Sequence, residues 1–328
     1  MQRQVRGEGG SGVELPELPA PPAPSSADAM RPILTSQPLK AIGLICLAVM
    51  CFSGTDTTGK YMITVGHIPV AQVVWVRFLG QFAAIILALG LFSVPSLLRS
   101  RMPGWQLVRS CLLLASTVFN FLALRTLRLD QIMTIQFLTP MVVALLAGPL
   151  LGEWVGWRRM LAILVGFCGV VIAVHPTAGT FDAAILLSLA SMLAYAAFTL
   201  LTRHLAPHDG VPVTLFYSMF AGVVLAAPLA LSVWTWPETP LIWAVMLSCG
   251  VWAAAGHALF IAAFRYAPAS SVAPFTYVGL LTHTLAGFLV FQQVPDRATL
   301  AGAAVVVVSG LYMLHRARIK QQPPSDPA

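Results

Sequence analysis

Charged residues are scarce in this chain of 328 residues. Asp, Glu, Lys and Arg make up 9% of it, whereas a soluble domain carries about 25%, and the mean hydropathy is +0.81. A water-soluble core of this size could not bury an apolar content of 58%. The composition therefore argues against a soluble helical protein.

Enzyme and metal-site motifs are also absent. The sequence has no H-E-x-x-H, no G-x-S-x-G, no P-loop and no G-x-G-x-x-G in a strand–helix context. Without a nucleotide-binding domain, ATP-driven transport by this chain alone is excluded. The five cysteines lie in apolar runs and form no C-x-x-C pair, as expected for small buried hydrophobic residues. We predict no enzyme activity, no metal and no cofactor.

The net charge of +7 does not indicate nucleic acid binding, because the basic residues are scattered between apolar runs. We interpret them as topology signals. The predicted partners are the lipid bilayer and a small-molecule solute.

Both ends of the chain differ from its middle. Residues 1–38 are rich in Pro, Ala, Glu and Ser, which predicts a disordered cytoplasmic tail rather than a signal peptide. Met30 is a second candidate start, and an intact mass that begins at Met1 would reject it. Residues 316–328 are predicted to form the cytoplasmic C-terminal tail.

What the sequence does contain is long apolar runs. A helix that crosses a membrane needs about 20 apolar residues, and charges and turn residues divide the chain into ten such runs. Their approximate limits are 41–61, 71–92, 107–124, 131–151, 159–175, 182–202, 212–233, 241–264, 270–292 and 298–315. The sequence therefore predicts an all-α membrane protein with ten transmembrane helices.

Two stretches repeat each other. The run that begins at Ala123-Leu124-Arg125 resembles the run that begins at Ala263-Phe264-Arg265, 140 residues later. We predict two copies of one five-helix unit, at residues 40–176 and 182–315. An odd number of spans makes the second copy enter the membrane from the opposite side, so the copies are predicted to be inverted.

Lys and Arg set the predicted orientation. With the amino terminus in the cytoplasm, fourteen basic residues fall inside and four outside, and Arg77 remains in the membrane. The protein is thus predicted to lie in a bacterial-type inner membrane with both termini cytoplasmic.

Three charged side chains fall at similar depth in the first two spans. Asp56 and Lys60 are four residues apart and share a helix face. Asp56 and Arg77 lie roughly 8–9 Å below the outer surface. We predict a network in which Asp56 pairs with both cations. Three roles are open for this network. It binds an anionic group of the substrate, Asp56 takes a coupling proton, or the ion pairs only stabilise packing.

Other polar groups in the spans are candidates for substrate binding or coupling, because buried polar groups are costly in lipid. They are Asn120, Gln136, Tyr195, His257 and Tyr277. His257 and His283 lie near the middle of their spans, where a proton relay and a hydrogen-bonded packing role both remain open. Pro140 is predicted to kink or open the fourth helix, and Pro274 the start of the ninth.

The fifth and tenth spans carry small residues in place of charged or amide side chains. We interpret them as peripheral packing helices, with a homodimer through the two as an open alternative.

Several motifs resemble the EamA-type branch of the drug/metabolite transporter superfamily, over about residues 40–315. They are Ala123-Leu124-Arg125 through Thr139-Pro140, Leu151-Gly152-Glu153, Gly166-Phe167-Cys168-Gly169-Val170 and the early Arg77 of the second span. The resemblance implies two inverted halves around a central cavity and transport by alternating access. Gln292-Gln293 departs from the family's Gly-Glu pair, so any role of Glu153 is not duplicated.

Together these features predict a secondary active transporter of a small metabolite, with proton coupling as one hypothesis. Asp56 and Lys60 before Arg77 also resemble members that move riboflavin or S-adenosylmethionine, which makes a cofactor importer an alternative to a metabolite exporter. A non-transporting membrane scaffold is the alternative from another class.

Overall fold

The computed structural model describes residues 38–90, 94–151, 156–174, 183–205, 208–263, 266–267 and 273–321. Within these ranges every regular element is helical. Disorder is predicted for residues 1–38, of which 1–37 lie outside the described residues and Pro38 begins the first helix. Glu153 and Arg265 of the repeated run also lie outside the described residues.

Twelve α-helices and one 3₁₀ segment make up the described part of the chain. They are α1 (Pro38–Thr64), α2 (Val70–Leu89), α3 (Val94–Leu97), α4 (Pro103–Ala123), α5 (Leu129–Gln136), α6 (Thr139–Leu151), α7 (Trp157–Val174), α8 (Ala183–Leu205), α9 (Val211–Ser232), α10 (Pro240–Ala263), the 3₁₀ segment Ala273–Tyr277, α11 (Val278–Phe291) and α12 (Arg297–Gln321).

Each of the ten predicted spans has its helix or pair of helices. Nine helical stretches of the described chain are long and apolar enough to cross a membrane, and the tenth, within α7, is a shorter apolar helix at Met160–Val174. α12 continues beyond the predicted tenth span, to Gln321. The chain is therefore an all-α membrane protein.

Prolines mark several helix starts. Pro103, Pro212 and Pro240 stand in the first turns of α4, α9 and α10. The first backbone N–H groups of a helix have no partner within it, so proline gives up no hydrogen bond there and its fixed φ suits the turn. These residues end the loops and start the spans.

The fourth and ninth spans are interrupted. Residues 137–138 separate α5 from α6, and Pro140 lies in the first turn of α6. The ninth span opens with the 3₁₀ segment, which contains Pro274, and continues as α11. Interrupted backbone at membrane depth is tolerated where it is buried in protein or lines a cavity.

The helices of the two copies pack in a two-fold pattern. α1 packs on α10, while α8, the counterpart of α1, packs on α4, the counterpart of α10. Likewise α2 packs on α10 and α9 on α4, and the pairs α2–α9 and α7–α12 join counterparts directly. A two-fold relation between the copies produces this pattern, and it supports their predicted inversion.

One ring contact marks the centre of this pattern. Phe137 and Tyr277 hold equivalent positions in the repeated runs, 140 residues apart. Their rings meet edge to face with centroids 4.6 Å apart. A residue contacts its own counterpart only beside the axis that relates the copies, so the two interrupted spans meet at the middle of the bundle.

The small residues of α7 and α12 face each other within the chain. A Cβ on Gly302 would overlap the backbone of Gly169 and Ala173. The Ser309 hydroxyl donates to the carbonyl of Ala162. Close backbone approach through small residues is how membrane helices pair. A homodimer through these helices, which stays a prediction, would use their outer apolar faces.

Large apolar side chains cover the outside of the bundle. Leu87, Val251, Leu281 and Val308 expose between 66% and 88% of their surface. On a soluble protein such a surface would cause aggregation, whereas in a bilayer it contacts the lipid.

Candidate functional site

Five polar side chains from four helices converge inside the bundle, and we call them the central polar group. They are Asp56 on α1, Arg77 on α2, Thr117 and Asn120 on α4, and His283 on α11. The first four belong to the first copy and His283 to the second. Thr117 and Asn120 are three residues apart, so they project from the same face of α4.

Asp56 lies between the two copies. Its Oδ1 accepts a hydrogen bond from Asn120 Nδ2 at 3.1 Å, and its Oδ2 lies 3.2 Å from His283 Nε2. The His283 side chain is 2% exposed and that of Asp56 is 22% exposed. His283 was absent from the predicted substrate or coupling residues, although an ionisable side chain in the middle of a span is a functional signal by itself.

Arg77 has few partners for a charge at this depth. Its Nη1 donates to Thr117 Oγ1 at 2.8 Å, and its guanidinium lies 5.2 Å from the Phe78 ring centroid. Asp56 and Tyr195 are within electrostatic range, but no described carboxylate forms an ion pair with Arg77. A guanidinium has five N–H donors, so most of them are left for another partner.

Arg109 shows what a fully satisfied arginine looks like in this protein. It is 2% exposed and lies 4.8 Å from the Phe198 ring centroid. Its guanidinium donates to the Gln106 side chain, the Thr202 and Ser218 hydroxyls and the carbonyl of Thr214. Arg109 ties α4 to α8 and α9, whereas the donors of Arg77 remain largely unused.

The predicted network of Asp56 with both cations does not form as expected. Lys60 Nζ donates instead to the carbonyl of Leu127 and interacts electrostatically with Asp130. The Lys60 amine, one helical turn after Asp56, therefore points towards the connection between α4 and α5. Sequence spacing placed Asp56 and Lys60 on one helix face, but it could not identify the carbonyl that attracts the amine.

Two further candidates lie beside Arg77. Tyr195 on α8 is within electrostatic range of the guanidinium, and its ring contacts Phe198. His257 Nδ1 on α10 lies 3.1 Å from Gln81 Nε2 and 2.9 Å from the carbonyl of Ala253. Arg77 and His257 are half-buried, and Tyr195 is 39% exposed. We interpret their exposed surface as the wall of an internal cavity.

Gln136 and Tyr277 are placed differently. Gln136 Nε2 donates to Ser191 Oγ at 3.0 Å, which in turn donates to the carbonyl of Ser116. This chain of bonds joins α5, α8 and α4. The Tyr277 hydroxyl lies against Gly310 of α12, so this end of the ring packs between helices.

At one end of the bundle a carboxylate joins the two copies. Asp209, between α8 and α9, accepts hydrogen bonds from Ser100 Oγ at 2.5 Å, Arg101 N at 2.8 Å and Gln106 Nε2 at 2.9 Å. Burial by itself would raise the pKa of Asp209, but the three donors outweigh burial and hold that pKa below its ordinary value. We call these four residues the Asp209 latch.

The other end of the bundle has its own contacts between copies. The Gln72 amide donates to the Thr235 carbonyl at 2.8 Å and accepts from its backbone N–H at 2.9 Å. Arg128 lies 3.6 Å from Asp296. Thr235 follows α9 whereas Asp209 precedes it, so these contacts and the Asp209 latch close opposite ends of the bundle.

Comparison with known proteins agrees with the two-copy architecture. The model of the EamA-like transporter family matches residues 39–175 and 182–315. The chain is also similar to a solved protein crystal structure with a TM-score of 0.59 and 20% identity, over 86% of this chain and 99% of the other. At that identity the structural likeness shows the fold alone.

Curated relatives cover most of the chain. It is 28% identical to a riboflavin transporter of Vibrio cholerae, over 84% of this chain and 93% of the relative. It is 26% identical to an S-adenosylmethionine uptake transporter of Rickettsia bellii over the same shares. It is also 26% identical to a pseudopaline exporter of Pseudomonas aeruginosa, over 62% of this chain and 72% of the relative.

Proposed function

Because the chain belongs to the EamA-like transporter family, we propose that it is a secondary active transporter, one that carries a small metabolite across a bacterial-type inner membrane by alternating access. The protein is a transporter and not an enzyme.

The observation that supports the proposal is that Arg77 forms one hydrogen bond with the described residues, which leaves most of its N–H donors unused. Placing a guanidinium inside a bilayer costs about 2.5–3.5 kcal/mol or more, and natural proteins offset that cost with partners. Arg109 has such partners, whereas Arg77 has a hydroxyl and a nearby ring. The free donors of Arg77 fit a planar anionic group, because a guanidinium binds carboxylates with two parallel hydrogen bonds.

We therefore assign an organic solute that carries an anionic group, such as a carboxylate. Asp56, Asn120, Tyr195 and His257 surround Arg77 and supply polar contacts for the rest of the solute. S-Adenosylmethionine, named for several relatives, carries an α-carboxylate and is the first probe to test. The relatives include both uptake transporters and an exporter, so the direction of transport has to be measured.

The contacts at the two ends of the bundle support alternating access. The Asp209 latch joins the copies at one end, and the Gln72–Thr235 and Arg128–Asp296 contacts join them at the other. A solute that binds between the copies can leave only when one of these sets separates. Inverted copies around a site near the membrane midplane are the arrangement in which one copy rocks against the other to open either side.

Uptake into proteoliposomes tests the proposal. We expect radiolabelled S-adenosylmethionine to enter liposomes that contain the wild-type protein faster than empty ones. R77A should lower the initial rate about 10-fold to 100-fold, since a hydrogen bond to a charged group contributes about 1.5–3 kcal/mol. R77K keeps the charge but loses the paired donors, so an intermediate rate is expected.

R125A is the matched control, because Arg125 is an exposed arginine in the loop after α4. Its uptake should equal that of wild type. Equal uptake by R77A and R125A at equal protein content would refute the assignment of Arg77. If neither S-adenosylmethionine nor riboflavin nor any solute from a cell extract crosses the membrane, the non-transporting scaffold replaces this proposal.

A further inference from the structure

The contact between Asp56 and His283 links the two copies of the fold. It joins α1 of the first copy to α11 of the second, and the 22% exposure of the Asp56 side chain leaves it open to the internal surface. A role for this contact in driving transport rests on the proposed transport function and specifies its energy source.

The protonation of His283 is fixed on one side of the ring. Its Nδ1 lies 2.7 Å from the carbonyl oxygen of Gly279, and a carbonyl can only accept, so Nδ1 carries a hydrogen. A neutral ring then has a lone pair on Nε2. That atom lies 3.2 Å from Asp56 Oδ2, and a lone pair facing a carboxylate would be repulsive.

One additional proton must therefore lie between Nε2 and Oδ2. In one arrangement His283 is an imidazolium ion beside an ionised Asp56. In the other, Asp56 is protonated and donates to neutral His283. Both contain the same number of protons, so the contact exists only while the pair holds that proton.

We propose that the Asp56–His283 pair binds the coupling proton, and that this proton and the anionic group at Arg77 bind cooperatively and cross the membrane in the same direction. The anion adds negative charge beside Asp56 and occupies the guanidinium that lies within electrostatic range of Asp56. Proton affinity of the pair then rises. By linkage, the bound proton raises the affinity for the anion by the same factor.

The groups around the pair allow this coupling. Besides His283, the titratable or charged groups on the elements around it include Arg77 on α2, Cys249 and His257 on α10, Tyr277 in the 3₁₀ segment, Asp130 on α5, Arg109 and Cys111 on α4, and Cys51, Lys60 and Tyr61 on α1. Lys60 is turned to Leu127 and Asp130, and the Tyr277 hydroxyl to Gly310. Arg77 is thus the cation that acts on both the solute and Asp56.

Loss of the proton also supplies a mechanical step. The carboxylate then faces the Nε2 lone pair, and the attraction between α1 and α11 becomes repulsion. These helices belong to different copies, so proton release favours a change in how the copies pack.

Infrared spectroscopy with the proton as the only ligand tests the site. We expect the difference spectrum of wild-type proteoliposomes between acidic and alkaline buffer to contain carboxyl and imidazole bands that disappear in both D56N and H283Q. H315Q is the control, because His315 is exposed on α12, and it should keep them. Bands that persist in both D56N and H283Q would overturn the proposal.

Transport measurements separate this inference from the proposed function. With wild type, an inward proton gradient should drive accumulation of S-adenosylmethionine, and a pH-sensitive dye in weak buffer should record net proton uptake, of at most one proton per solute bound. D56N and H283Q should lose accumulation, whereas H315Q, altered on the exposed surface of α12, should retain both accumulation and solute exchange.

If wild type exchanges the solute but a proton gradient changes nothing, the inference fails and the transport function stands. If wild type moves no solute in either assay, the proposed function fails first. Proton release upon solute binding would also overturn the inference, because it would indicate competition. Thermal unfolding in detergent confirms that each variant is folded, and the dye measurement on wild type needs no variant.

Discussion

At the scale of single residues, two arginines differ in how many hydrogen-bond acceptors surround them. Arg109 and Arg77 both stand in apolar sequence, and the composition around them is similar. Arg109 lies at the predicted inner end of its span and finds four acceptors, whereas Arg77 finds Thr117. The sequence identified Arg77 as unusual because it lies within a span. The number of acceptors around each arginine depends on the packing of α8 and α9.

The histidines illustrate the same limit. Both His257 and His283 are visible in the sequence as ionisable groups near the middle of spans. His257 has an amide and a carbonyl beside it, and His283 has the carboxylate of Asp56. Residues 227 positions apart meet only through the packing of α1 on α11, so spacing could not pair them.

Asp209 gives a prediction at this scale. D209N removes the negative charge and places an amide N–H against one or two of the three donors, so we expect it to lower the free energy of unfolding by about 1–3 kcal/mol. Thermal unfolding in detergent measures this loss. R101A serves as control, since the exposed Arg101 supplies its backbone N–H to the latch.

The pH dependence of that loss follows from the lowered pKa of Asp209. A carboxyl of this kind stabilises the fold above its ordinary pKa of about 3.9, and its contribution is lost as the pH falls through the lowered pKa. The difference in melting temperature between wild type and D209N should therefore be constant from about pH 6 to pH 8 and shrink below about pH 4. A difference that varies across neutral pH would mean that another group is responsible.

At the scale of elements, the interrupted fourth and ninth spans are the least regular helices and the most central ones. Pro140 predicts a disturbance in the fourth span, and the structure has a break at residues 137–138. The apolar stretch of sequence continues through the break. Apolar side chains indicate that a segment avoids water, but they do not show whether its helix is continuous. The sequence could therefore locate the span, and only the backbone could show its division.

Close packing of α7 on α12 yields an element-scale prediction. G302V should lower the free energy of unfolding by about 1–3 kcal/mol, because the new Cβ would overlap the backbone of Gly169 and Ala173, which cannot rotate away. The melting temperature of purified protein is the readout. G43V is the matched control, because a Cβ on Gly43 meets nothing within 4 Å. Equal melting temperatures for the two variants would contradict this packing.

At the scale of the whole molecule, the two copies share a fold but not their chemistry. Asp56, Arg77 and Asn120 come from the first copy and His283 from the second. The proposed site thus lies where unlike sequences meet across a two-fold arrangement.

The predicted orientation can be measured on intact cells. In a variant without the five native cysteines, a single cysteine in place of Arg125 should react with a membrane-impermeant maleimide. One in place of Arg101 should react only after permeabilisation, because the charge bias puts that loop in the cytoplasm. Both side chains are exposed, so burial does not explain a difference. Labelling of Arg101→Cys in intact cells would reverse the orientation.

The sequence alone determined the membrane class, the ten apolar segments and the two-copy organisation. These follow from local composition and from internal similarity, and both are properties of the chain read in order. The tertiary structure decided which side chains meet: Lys60 with Leu127, Asp56 with Asn120 and His283, and Arg77 with Thr117. Such contacts depend on helix rotation and crossing, which are set by side-chain packing between segments that lie far apart in the sequence.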